Sequence, residues 1–122
     1  MTTPRPVRYR CSLRGDLVTE EGAAVVVQMI DVSEKGVFIE RAEELDELQV
    51  GDHARLRLPL PGSAAWAADV IVTRLGTCLR EIKHPTAQHV TVVRHGFGLE
   101  FVDIDDDNLE HLRDFLELLD QR

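Results

Sequence analysis

The chain has 122 residues, of which 43% are hydrophobic and only 5% aromatic, and its formal net charge is −8. A single domain of this length can bury a real core, which Val, Leu, Ile and Ala must build. So acidic a balance argues against general DNA or RNA binding and against anionic lipid, so neither nucleic acid nor membrane insertion is expected.

Residues 1–6 read as a flexible N-terminal arm. Arg5, Arg8, Arg10 and Arg14 crowd this end, and no acid precedes Asp16. Val7, Tyr9, Cys11 and Leu13 alternate with Arg8, Arg10, Ser12 and Arg14, which predicts a strand with one apolar and one basic face. Thr19-Glu20-Glu21-Gly22 predicts a hairpin turn. A β-branched strand follows from Ala24 through Ile30. A polar corner then precedes the short strand Val37-Phe38-Ile39-Glu40. Ala42 to Leu48 is acidic and fits a helical turn or a loop. Val50-Gly51-Asp52 turns into a strand in which Ala54, Leu56, Leu58 and Leu60 alternate with Arg55 and Arg57. Pro59 and Pro61-Gly62-Ser63 end it, because proline cannot donate to a ladder.

Trp66 to Thr73 is another apolar run. Arg74 to His95 carries the weakest pattern: a turn at Leu75-Gly76, a break at His84-Pro85 and a strand at Val90 to Val93. Gly96 to Val102 predicts a strand with glycine at two alternate positions, which points to close backbone approach or sharp curvature. Asp105-Asp106-Asp107-Asn108 then precedes Leu109, Leu112, Phe115, Leu118 and Leu119, which fall on one helical stripe. The Asp cluster suits the N-terminal end of that helix, expected over 105–120. Several antiparallel strands followed by one amphipathic helix suggest a barrel or sandwich.

The most informative stretch is Asp31-Val32-Ser33-Glu34-Lys35-Gly36, which reads D-x-S-x-x-G between two apolar runs. Asp and Ser bond locally to backbone, and Gly supplies a backbone shape that a side chain would forbid. Beside it stand the N-terminal arginines, whose guanidinium forks can grip a phosphorylated, base-bearing ligand. His53, His84, His89, His95 and His111 have no metal-ligand spacing with acids or cysteines, so no metal site is expected. Ser33 sits in no nucleophile elbow, and no carboxylate pair stands out, so no catalytic residues and no enzyme activity are expected. Cys11 and Cys78 read as reduced thiols, and the absence of a signal-like start or a membrane span reads as a cytoplasmic, soluble protein.

From about Arg5 to Leu119 the chain resembles a PilZ domain. The resemblance is carried by Asp31 through Ile39, by Leu48-Gln49-Val50-Gly51-Asp52 leading into Leu56-Arg57-Leu58-Pro59, and by Gly96 through Ile104 leading into the final helix. The opening Arg5-Pro6-Val7-Arg8-Tyr9 is similar to the PilZ-like branch abundant in myxobacteria. The resemblance implies one domain over 1–122: an all-β fold with one helix, a six-stranded antiparallel barrel plus a C-terminal amphipathic helix. It implies a non-enzymatic receptor for cyclic di-GMP, with no cofactor, that signals by altering contacts with a partner protein as yet unidentified. Arg5, Arg8, Arg10, Asp31, Ser33 and Gly36 would bind the ligand. Asp31 would accept from a guanine edge, Ser33 would bond locally or to the ligand, and Gly36 would let the backbone come close. The family's R-x-x-x-R motif lies just before the first strand. By register Arg5 or Arg8 matches its second arginine, and the first would fall near Met1, where none stands. The alternative is a degenerate domain that binds no nucleotide and works through protein contacts in motility, pilus or polarity control.

Overall fold

The computed structural model describes residues 7–63, 65–83 and 89–121, with backbone alone at 78–83, 89–92 and 94. Six strands and one helix follow in chain order: β1 Tyr9–Thr19, β2 Ala24–Val32, β3 Gly36–Glu40, β4 His53–Leu58, β5 Trp66–Lys83, β6 His89–Asp103 and α1 Asp106–Asp120. A 3-10 turn at Glu43–Leu45 occupies the acidic stretch between β3 and β4, and it buries Leu45.

Every strand pairing is antiparallel, and the strands close into a barrel in the order β1-β2-β3-β6-β5-β4. Closure is made by β1 against β4, from Asp16 opposite Arg57 to Thr19 opposite Ala54. Closing the sheet removes its free edges, and alternation along each strand then sends one face inward. Leu17, Val27, Met29, Val37, Ile39, Leu56, Val70, Val72, Phe97 and Leu99 fill the interior. This aliphatic filling is what a chain so poor in aromatics must use.

The helix closes over the core from outside the sheet. Leu112 and Leu116 join the same buried cluster. Its first turn is pinned to the start of β5: Trp66 Nε1 donates to the Asn108 carbonyl at 2.7 Å, and Asn108 Nδ2 donates to the Ala67 carbonyl at 2.9 Å. Asp105 caps the helix by accepting from the Asn108 amide at 2.8 Å, as the acidic run preceding the stripe suggests. Among the described residues no helix is long and apolar enough to cross a membrane.

The stretch after Trp66 departs from the sequence-based expectation. No turn occurs at Leu75-Gly76. β5 runs straight through, with Leu75 opposite Phe97 and Gly76 opposite Gly96. The two strands expected at Val90–Val93 and Gly96–Val102 are one strand, β6. Gly76 marks a contact rather than a bend: a Cβ there would lie 3.1 Å from the Phe38 ring. β3 ends at Glu40, opposite Gly96, and β4 begins at His53, opposite Ile71. Beyond those points β5 and β6 continue paired with each other, up to Lys83 opposite His89. The break expected at His84-Pro85 and the 1–6 arm lie outside the described residues.

Candidate functional site

The D-x-S-x-x-G corner joins β2 to β3; Ser33 is buried within it, while Glu34 and Lys35 are exposed. The Ser33 amide donates to the Gly36 carbonyl at 2.8 Å. The Ser33 hydroxyl oxygen accepts from the Lys35 amide at 3.1 Å and the Gly36 amide at 3.3 Å, and its proton goes to the Gly36 carbonyl at 3.4 Å. Ser33 is 0% exposed. Of the two roles open to it from sequence, local bonding is therefore the one the geometry displays.

Gly36 corrects one expectation. The glycines with positive φ are Gly22, Gly51 and Gly62, all in turns, and Gly36 is not among them. What Gly36 supplies is room. A Cβ built on it would overlap the Leu99 carbonyl oxygen and come within 3.0 Å of the Glu100 Cα. The glycine is needed because the neighbouring strand β6 lies too close for a side chain, not because the chain turns left-handed there.

Asp31 behaves differently. It stands on the outer face of β2, next to a register irregularity between Met29 and Asp31 that offsets it from the inward series. Arg8, just ahead of β1, donates to Asp31 Oδ1 from Nε at 3.0 Å and from Nη2 at 2.7 Å. The Arg8 side chain is 40% exposed and that of Asp31 24%, so this pair adds at most about 1 kcal/mol to stability. Arg10 lies opposite Asp31 in the β1–β2 register. The structure thus brings Arg8 and Arg10 to Asp31, with Ser33 and Gly36 as the frame behind. Arg14 sits further along β1, its Nε donating to Gln28 Oε1 at 3.4 Å. Arg5 lies outside the described residues.

Two outer-face residues escaped the sequence reading. Registers across the barrel align Arg10, Asp31, Phe38, Gly98 and Arg74 in one lateral row over β1, β2, β3, β6 and β5. Phe38 points away from the core, since Val37 and Ile39 on either side belong to the interior cluster. It is nevertheless only 4% exposed. Its ring rests where side chains are missing: a Cβ on Gly96 would lie 2.6 Å from Phe38 Cε1, and one on Gly98 would lie 2.6 Å from Arg74 Cγ. The Arg74 guanidinium carbon stands 5.4 Å from the Phe38 ring centroid, a cation–π distance. The alternate glycines of β6 were the available signal, because they did indicate close approach. What approaches could not be read from them.

The corner and the start of β1 are both tied to α1. Glu34, at the tip of the corner, accepts from Arg113 Nε at 2.8 Å. Tyr9, the first residue of β1, has its phenol pKa raised by burial and by the Asp120 carboxylate, which also accepts its hydroxyl. Between these ties lies a recess of about 270 Å³ lined by Val7, Tyr9, Glu34, Arg113, Leu116 and Asp120.

A closed six-stranded antiparallel barrel with a polar β2–β3 corner, Arg8 just ahead of β1 bonded to Asp31, and a C-terminal helix packed on the core defines the class of fold. The PilZ domain profile matches residues 3–118, and the chain belongs to that family. Solved structures agree on the fold. The PilZ domain with cyclic di-GMP of YcgR from Escherichia coli aligns at a TM-score of 0.73 and 12% identity, covering 98% of this chain and 93% of that one. The MrkH–cyclic di-GMP complex of K. pneumonia aligns at 0.70 and 14% identity, over 99% of this chain and 53% of that one. The inhibitor of motility MotI/DgrA from Bacillus subtilis aligns at 0.66 and 18% identity, over 100% of this chain and 52% of that one. The chain thus spans about half the length of MrkH and MotI. A search of curated proteins found no match.

Proposed function

We propose that this protein is a cytoplasmic cyclic di-GMP receptor and adaptor, without catalytic activity, that signals by changing its contacts with a partner protein. The observation that carries this reading is the Arg8–Asp31 pair. It places a guanidinium fork and a carboxylate together on the outer face, beside a corner whose serine is already engaged within the turn. A carboxylate accepts from the N–H groups of a guanine edge, and a guanidinium grips a phosphate through paired donors. The ligand would replace an internal pair with two ligand-directed ones. Asp31 would turn to the base, and Arg8, released from it, to the phosphate. That exchange repositions the arm, and a repositioned arm presents a different surface to a partner. The cyclic di-GMP named for the YcgR and MrkH structures, at a shared fold, supports the choice of ligand.

Titration calorimetry of the purified chain with cyclic di-GMP tests the proposal. The wild type should bind. Asp31→Ala and Arg8→Ala should each weaken binding about 10- to 150-fold, the cost of losing a charge-assisted bond, while circular dichroism stays unchanged. A flat wild-type trace at high micromolar ligand would remove the receptor reading and leave a module that works through protein contacts alone.

A further inference from the structure

We infer that Arg74, seated on Phe38 above a glycine floor, is a base-stacking wall of the nucleotide site, standing on the same outer row as Asp31. The inference rests on the receptor reading and names a residue that the arm and the corner do not supply.

Three observations carry it. The first is position. Arg74 and Asp31 are separated by 43 residues in sequence (74 − 31), yet the registers through Phe38 and Gly98 place them three strands apart on one face. At about 4.8 Å per strand their backbones are roughly 14 Å apart, a span that a two-base ligand can bridge once both side chains reach inward. The second is availability. Among the described residues, Arg8, Arg41, Arg55 and Arg113 each hold a carboxylate within 3.0 Å. Arg74 is exposed and has the Phe38 ring as its contact, with no carboxylate among the described residues. The third is support. Gly98 lacks the Cβ that would collide with Arg74 Cγ, and Gly76 and Gly96 lack those that would push Phe38 up. The side chain is thereby lowered onto the sheet over an aromatic ring, which restricts it without neutralising it.

A guanidinium held this way has a planar face to offer. Guanidinium planes and aromatic rings stack on purine bases, and such contacts tolerate no replacement by a compact ammonium. The geometry therefore favours a base contact over a simple charge contact. Phe38 does not reach the ligand in this arrangement. It is a positioning residue for Arg74.

The test is titration of cyclic di-GMP into the wild type, Arg74→Ala, Arg74→Lys, Phe38→Leu and the Arg74→Ala/Phe38→Leu double variant, each checked for an unchanged thermal midpoint. Arg74→Ala and Arg74→Lys should both weaken binding about 10- to 100-fold. Phe38→Leu should weaken it less. The double variant should be no weaker than Arg74→Ala, because Phe38 acts through Arg74 and losses on one path do not add. Wild-type binding together with unchanged binding by Arg74→Ala would overturn this inference and leave the receptor reading standing. Full recovery in Arg74→Lys would overturn the stacking role. Additive losses in the double variant would overturn the positioning role of Phe38. A flat wild-type trace would overturn the receptor reading and this inference with it.

Discussion

The two ends of the D-x-S-x-x-G corner do opposite things. At one end Ser33 and Gly36 are buried, and every polar group described there bonds to a neighbour within the turn or makes room for β6. At the other, Asp31 stands at the surface and is held by a half-exposed arginine. The same short motif therefore contains a structural half and a chemical half. One short motif thus serves two unrelated physical ends. Buried polar groups are costly to leave unpaired, whereas an exposed ion pair contributes little and can be exchanged for a ligand.

Substitutions at the two halves should separate stability from binding. The largest stability loss should come from Gly36→Val, where any Cβ meets the Leu99 carbonyl and the β3–β6 pairing must open. We expect a loss of several kcal/mol or failure to fold, read by urea denaturation. Ser33→Ala should cost about 1–3 kcal/mol, since it strips the Lys35 and Gly36 amides of their acceptor in a buried place. If Ser33→Ala were neutral in stability but lost ligand, the division drawn here would be reversed. Asp31→Ala should change stability by no more than about 1 kcal/mol while weakening the proposed binding about 10- to 150-fold.

The smallest effect belongs to the tie between the arm side and the helix. The Tyr9 phenol is raised above its ordinary value, by burial first and then by Asp120. A raised folded-state value means that the contribution is fully present below the unfolded pKa of about 10 and is lost as pH rises through the folded value. Asp120→Asn should lower the phenol's titration midpoint in an ultraviolet pH titration. An unmoved midpoint would leave burial as the sole cause.

Much of the fold was legible because its signals are local. Alternation marked β1 and β4, the β-branched run marked β2, and the stripe after the Asp cluster marked α1 with its Asp105 cap. The candidate site was legible in part: the corner and Arg8 could be picked out, and the structure joins them. The region from Arg74 to His95 misled for a physical reason. Glycine serves turns and close contacts alike, and Gly76 looked like the former while acting as the latter.

Local pattern in the sequence was enough for β1, β2, β3 and β4, the turns at Gly22, Gly51 and Gly62, the capped helix and the polar corner, since each depends on residues a few positions apart. The tertiary structure alone decided that β1 meets β4 to close the sheet, that Gly36 yields to β6, and that Phe38 and Arg74 share a row with Asp31. Those relations depend on register between distant strands, and register is set by how the whole barrel packs.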